Sequence, residues 1–141
     1  MTARLLFAAL LSLAVAANTF AGEVLPGVDV LLRDNFRPLA GARVGLITNH
    51  TGLSRDGHST IRLLHDEPSV NLVRIFSPEH GVDGKLDIPL VGDGTEGSTG
   101  IPVASLYGEV RRPTAAMLAD LDTLVFDIQD IGTRFYTYIS T

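Results

Sequence analysis

The 141-residue chain contains no cysteine, so a disulfide scaffold and a thiolate zinc site are both excluded. Positive charge is also scarce, since 11 Lys and Arg stand against 16 Asp and Glu for a formal net charge of −5. No polybasic stripe interrupts this balance. Binding to nucleic acid or to a membrane surface by charge is therefore excluded.

No apolar run is long enough to span a bilayer. The longest, from Leu5 to Ala17, has about 13 residues where about 20 are needed. It follows Arg4, the single charge of this region, and small residues precede plausible cleavage points as far as Ala21. This pattern is typical of a secretory signal peptide. We predict a signal peptide over 1–21 and an exported bacterial chain over 22–141, periplasmic or secreted, with no membrane anchor after cleavage.

Several nucleotide and hydrolase motifs are also missing. The chain has no Walker-type phosphate loop and no Gly-x-Ser-x-Gly elbow. The segment Gly92–Gly97 has the glycine spacing of a dinucleotide site, but Pro102 follows closely and no helix can start there. Its acidic Asp93 and Glu96 would also repel a pyrophosphate. We therefore predict no cofactor.

Short apolar runs alternate with segments of helical pattern along the chain. The predicted strands are 43–47, 72–76, 101–106 and 123–128. The predicted helices lie near 28–33, at 60–65 and at 114–121, with Pro113 as the first residue of the last. This alternation favours an α/β fold built on a parallel sheet. The Gly-rich, acidic stretch 81–100 is predicted to be a surface loop.

A polar cluster follows each predicted strand. The four clusters are Thr48–Gly52, Ser77–Gly81, Tyr107–Glu109 and Asp127–Arg134. The carboxyl ends of parallel strands share one edge of a sheet, and ligands bind in the crevice at that edge. We therefore predict that the clusters converge on a single cleft.

Glu79 is the candidate general acid or base, because partial burial beside apolar residues suits a carboxyl group to proton transfer. His80 would orient it, bond to a substrate hydroxyl or carry protons itself. Asn49 and His50 offer groups that suit sugar hydroxyls and acetamides. The alternative for both pairs is an ordinary polar turn.

The last cluster leaves two alternatives open. Asp127 and Asp130 either supply the second carboxylate that glycoside hydrolysis usually requires or form a structural ion pair with Arg134. Tyr136 and Tyr138 either contact a ligand or, for one of them, pack in the core.

Four segments together resemble the exo-β-N-acetylmuramidase family, formerly DUF1343. They are Gly45–Gly52, Phe76–Gly81, Ser105–Gly108 and Phe126–Tyr138, in the family's order and with its gaps. The resemblance implies an exported bacterial enzyme that removes N-acetylmuramic acid from the non-reducing end of peptidoglycan fragments. It also implies a Rossmann-like catalytic domain with a mostly parallel sheet and flanking helices, a smaller C-terminal domain and no nucleotide.

The resemblance makes Glu79 the catalytic acid and places other motif residues in the same cleft. The predicted catalytic residues are Glu79, His80 and Asp130, and the predicted substrate-binding residues are Asn49, His50, Asp127, Arg134 and Tyr136. No metal is predicted, and the expected partners are peptidoglycan-derived amino sugars. The alternatives are a metal-dependent hydrolase using His50, His80, Glu79 and Asp127, or a non-catalytic peptidoglycan-binding module.

The chain departs from the family pattern in its length, because family members are more than twice as long as the region 22–141. We therefore expect this region to be the N-terminal portion of the catalytic domain. The run Leu124–Phe126 is apolar on both faces and predicts an interior strand. In a shortened sheet we expect such a strand to leave an uncovered surface.

Overall fold

The computed structural model describes residues 24–85 and 92–140, so the predicted signal peptide lies outside the described residues. The helices are α1 (Gly27–Arg33), α2 (Thr60–Asp66) and α3 (Ala115–Leu118), with 3-10 turns at Arg37–Leu39 and Tyr138–Ser140. The strands are β1 (Arg43–Thr48), β2 (Asn71–Ser77), β3 (Gly94–Thr95), β4 (Pro102–Ser105) and β5 (Thr123–Asp127). Within the described part of the chain, no helix has the length and apolar character needed to cross a membrane.

The strands form one mostly parallel sheet in the order β3-β4-β2-β1-β5. β1 pairs in parallel with both β2 and β5, and β2 pairs in parallel with β4. Only the short β3 is antiparallel to its neighbour. The predicted α/β fold with a mostly parallel sheet is therefore confirmed.

Each face of the sheet has its own hydrophobic core, because successive side chains of a strand point to opposite faces. One face carries Val44, Leu46 and Ile75, which pack with Ile61 and Leu64 of α2. The other carries Phe76, Ala104 and Leu106, packed against the partly buried apolar residues of the α3 region. Gly45 allows this second layer to approach, since a Cβ there would lie 2.6 Å from Leu121 Cδ1.

The third helix is shorter than the predicted 114–121. Thr114 caps it by accepting a hydrogen bond from the Met117 amide at 3.3 Å, so Pro113 precedes the cap instead of starting the helix. The Met117 carbonyl accepts a hydrogen bond from the Arg74 guanidinium of β2, and Arg74 also pairs with Asp120. Because these contacts bind the end of α3 and the residues after it to β2, the helix does not continue for a further turn. The predicted loop 81–100 also contains the two residues of β3.

β5 lies at an edge of the sheet in the described part of the chain, so a strand whose sequence suits a sheet interior has no neighbour on one side there. Leu124 and Phe126 are 44% and 45% exposed on one face, whereas Val125 packs against the core of the other face. The expected uncovered apolar surface is therefore present along β5.

An ion pair joins β1 to the residue before β5 at the amino ends of these strands. The Arg43 guanidinium donates to both Asp122 oxygens, at 2.8 and 3.0 Å, and the Arg43 amide donates to Asp122 Oδ2 at 2.9 Å. The side-chain hydrogen bond from Arg43 lowers the pKa of Asp122 most, and the backbone bond from Arg43 lowers it further. Together they hold this pKa at about 2, below its ordinary value of 3.8.

We expect Asp122→Asn to remove a pH-dependent part of the stability. A carboxyl group whose pKa is lowered by folding stabilises the fold above its unfolded pKa, and this contribution disappears as the pH falls through the folded pKa. Wild-type protein should therefore lose stability between about pH 4 and pH 2 more steeply than the variant, as measured by urea unfolding at each pH. Asp66→Asn, in the exposed Arg62–Asp66 pair of α2, is the control. Identical pH profiles for wild type and Asp122→Asn would contradict this assignment.

Candidate functional site

The parallel strands end together, and buried hydroxyl groups close them. Thr48, Ser77 and Ser105 end β1, β2 and β4, and each is at most 3% exposed. Thr48 Oγ1 donates to the Asp127 carbonyl at 2.7 Å, and Ser105 Oγ accepts from the Tyr107 amide at 3.1 Å. Because these hydroxyl groups bond to the backbone at the strand ends, they fix the directions in which the following loops leave the sheet.

Glu79 and His80 lie in a tight turn directly after β2. Pro78 is fully buried, and His80 and Gly81 both have left-handed backbone angles, with φ of 67° and 75°. This conformation is uncommon for a residue with a side chain and is found often at functional sites. It presents the Glu79 carboxylate at the surface with 32% exposure, and His80 Nε2 lies 3.8 Å from Glu79 Oε1.

The segment Tyr136–Tyr138 approaches Glu79 from the other end of the described chain. Thr137 Oγ1 donates to Glu79 Oε2 at 3.4 Å. Tyr136 and Tyr138 meet edge to face, with ring centroids 4.9 Å apart and an interplanar angle of 88°. The polar segments that follow β2 and β5 are thus brought together, as the strand ends had indicated.

Asn49 is held with its amide in one orientation under this cluster. Its Oδ1 accepts from both the amide and the hydroxyl of Thr51, at 2.9 and 2.7 Å, and Thr51 Oγ1 in turn accepts from the Gln129 amide at 2.9 Å. Asn49 is 3% exposed, and its Nδ2 is buried with no hydrogen-bond partner among the described residues. A buried donor without a partner costs about 1–3 kcal/mol. In the part of the chain that the structure describes, the fold thus leaves this amide donor without a bond.

Tyr138 is the most buried tyrosine of this cluster, at 8% exposed. Burial raises the pKa of its hydroxyl, and the neighbouring Tyr136 and Glu79 raise it further. The nearby Asn49 amide lowers this pKa as a donor, although Nδ2 does not reach the geometry of an ordinary hydrogen bond. The Tyr138 hydroxyl therefore lies beside the Asn49 amide, and its raised pKa keeps it protonated at neutral pH.

Asp127 and His50 contact residues that hold the fold together. Asp127 Oδ2 accepts a short hydrogen bond of 2.5 Å from Thr60 Oγ1, which ties the end of β5 to the start of α2. The His50 ring is packed against Gly84 so closely that a side chain at Gly84 would overlap it. Both residues line a surface cavity of about 550 Å³ together with Gln129. Their predicted substrate-binding roles stay predictions.

Asp130 and Arg134 are exposed in the loop after β5. Asp130 Oδ1 accepts from the Gly132 amide at 2.6 Å, which closes a local turn. Neither Asp127 nor Asp130 forms an ion pair with Arg134 within 24–85 and 92–140, so that structural alternative is not seen there. No described contact joins Asp130 to Glu79, and its predicted catalytic role stays a prediction.

The arrangement does not favour the metal-dependent alternative. In the described part of the chain, no three or more His, Asp or Glu side chains are grouped closely enough to hold a metal ion. His80 lies beside Glu79, whereas Asp127 is bonded to Thr60 and His50 packs on Gly84. The four candidate ligands are therefore held in separate contacts.

Thr51 and Thr137 also belong to this site, although no role is predicted for either from the sequence. Tyr138 was one of two tyrosines between which the residue pattern could not choose, and the structure buries it more deeply than Tyr136. Thr51 bonds to residues on both sides of the cleft, which no local motif reveals.

A family model described as "Exo-beta-N-acetylmuramidase NamZ, N-terminal" matches residues 44–141. The chain is also 47% identical over 120 residues to the peptidoglycan beta-N-acetylmuramidase NamZ of Bacillus subtilis (strain 168). This match covers 84% of the chain and 29% of the Bacillus protein, so the chain spans less than a third of that relative.

Two solved structures of DUF1343 family proteins from Bacteroides fragilis NCTC 9343 share the fold. One has a TM-score of 0.74 at 52% identity and covers 82% of this chain, and the other has a TM-score of 0.65 at 35% identity and covers 84%. The matched regions make up 29% and 30% of those two proteins.

We expect Gly52→Ala to destabilise the site. A Cβ there would overlap Thr48 Oγ1 and lie 2.9 Å from the Asp127 carbonyl, at the junction of β1 and β5. The overlap should cost about 1–3 kcal/mol in the free energy of unfolding, as measured by urea denaturation. Gly97→Ala is the control, because no atom lies within 4 Å of the added methyl group. Equal stability of the two variants would contradict the close contact.

Proposed function

The chain belongs to the exo-beta-N-acetylmuramidase NamZ N-terminal family, and on that premise we propose that it acts in glycoside hydrolysis on peptidoglycan-derived amino sugars. The proposed reaction releases N-acetylmuramic acid from the non-reducing end of peptidoglycan fragments. One observation supports this proposal more strongly than any other. Glu79, at the carboxyl end of a core strand, meets His80 and the tyrosine segment in a single polar cluster.

Glu79 is the proposed general acid. Glycosidases of this kind protonate the leaving oxygen with one carboxyl group, while a second carboxylate activates water or attacks the anomeric carbon. The Glu79 carboxylate is exposed enough to reach a sugar and is contacted on two sides, by His80 Nε2 at 3.8 Å and by Thr137 Oγ1 at 3.4 Å. These contacts would orient it toward a glycosidic oxygen.

We propose Asp130 as the second carboxylate, because it lies in the segment after β5 that resembles a family motif. Its present partner is a neighbouring backbone amide in an exposed turn, at 2.6 Å. A change in this turn would be needed to bring the carboxylate to the sugar. Arg134, exposed in the same loop, is proposed to bind the substrate.

Export is part of the proposal. Peptidoglycan lies outside the cytoplasmic membrane, and the first 21 residues have the basic start, apolar core and small-residue site of a secretory signal. The proposed location is the periplasm or the medium.

We expect Glu79→Gln to lower the turnover of a chromogenic β-linked N-acetylmuramic acid substrate by about 100-fold or more, because the amide cannot donate a proton as the acid does. Glu67→Gln is the control, since Glu67 bonds to Ser69 in the turn before β2, far from the cleft. Undiminished turnover in Glu79→Gln would remove Glu79 from the acid role. Tight binding without product in the wild-type chain would favour the non-catalytic binding module instead.

A further inference from the structure

We propose that Asn49 and Tyr138 together bind the acetamido group of the amino sugar, with the Asn49 amide and the Tyr138 hydroxyl both donating to its carbonyl oxygen. This inference rests on the proposed function and assigns one chemical group of the substrate to two named side chains. Tyr138 was not among the predicted site residues.

The first support is the fixed orientation of the Asn49 amide. Both of its Oδ1 bonds go to Thr51, and an amide is planar, so Nδ2 must point to the opposite side. Nδ2 is buried there and has no partner among the described residues. Buried polar groups in folded proteins are nearly always hydrogen-bonded, so an exception of this kind indicates a ligand.

The second support is the position of Tyr138. Its ring is buried and meets Tyr136 edge to face at 4.9 Å, while the adjacent Thr137 reaches Glu79. The phenolic hydroxyl lies beside the Asn49 amide, which acts on its pKa as a hydrogen-bond donor. A protonated phenol donates one hydrogen bond, as does an amide N–H, and a carbonyl oxygen accepts two.

An acetamido group fits this pair of donors better than a hydroxyl group does. Its carbonyl oxygen can accept from both side chains at once, and its methyl group can pack against the two tyrosine rings. Nδ2 is buried, so the side chains around it must move aside when the acetamido group binds. The turn Tyr138–Ser140 can allow this, because its Ile139 and Ser140 are both exposed.

The test compares two ligands that differ in the acetyl group, N-acetylmuramic acid and muramic acid. We expect wild-type protein to bind the acetylated sugar at least ~10-fold more tightly in calorimetric titrations, because the deacetylated sugar leaves both donors unpaired. Tyr138→Phe removes only the hydroxyl. Asn49→Asp keeps the oxygen that Thr51 bonds and replaces the donor with a carboxylate oxygen, which is charged and cannot donate when the group is ionised. Each variant should reduce the tenfold preference to about twofold or less.

Ser69→Ala is the control, because it also removes a hydroxyl group and Ser69 bonds to Glu67 in the turn before β2, at the opposite end of the sheet. It should keep the full preference. A wild-type preference that survives in both Tyr138→Phe and Asn49→Asp would overturn this inference and leave the proposed function intact. A wild-type chain that binds neither sugar would contradict the proposed function itself, and this inference with it.

A measurement without sugar checks the position of Tyr138. The chain has three tyrosines and no tryptophan, so phenolate absorbance reports on the tyrosines without interference. One of the three should ionise at higher pH than the others in wild-type protein, and Tyr138→Phe should abolish that step. The two other Tyr→Phe variants should retain it. Loss of the late step in Tyr136→Phe or Tyr107→Phe, with its retention in Tyr138→Phe, would overturn the assignment.

Discussion

The parallel pairing of β1 with strands on both sides is the constraint on which the site depends. Pairing with β2 brings Asn49 next to the turn that holds Glu79, and pairing with β5 places Asp127 opposite Thr48. Since neighbouring strands are about 4.8 Å apart, these loops must meet at one edge. Thr48 and Thr51 then join the loops after β1 and β5 by hydrogen bonds, so the register of the sheet fixes the geometry of the polar cluster.

The polar groups at the two ends of the sheet differ in how completely they are hydrogen-bonded. At the amino ends, Arg43 and Asp122 bond to each other and to the backbone, and this pair stabilises the sheet. At the carboxyl ends, Glu79 has long contacts with His80 and Thr137, and Asn49 has a donor with no partner within 24–85 and 92–140. Polar groups whose hydrogen bonds are made within the protein stabilise the fold, whereas polar groups with hydrogen bonds left unmade are available to a ligand.

Much of the sheet could be predicted because apolar runs such as Val44–Ile47 have a clear periodicity and are followed by polar turns. The length of α3 could not, because Arg74 contacts the end of that helix from a strand 43 residues earlier. The meeting of polar clusters at one end of the sheet could be predicted from the parallel topology alone. The choice of Tyr138 over Tyr136 required the structure, since it depends on how the loop after β5 folds back onto Glu79. The exposure of Leu124 and Phe126 likewise depends on which strands flank β5.

We propose that an amino sugar binds at the end of the sheet where Asn49, Glu79 and Tyr138 lie. Nuclear magnetic resonance of the isotope-labelled chain can test this by following backbone amide shifts as N-acetylmuramic acid is added. We expect the shifted signals to belong to residues 49–51, 79–81 and 136–138, while those of Arg43 and Asp122 at the opposite end stay unchanged. Shifts centred on Arg43 and Asp122, or no shifts at saturating sugar, would contradict it.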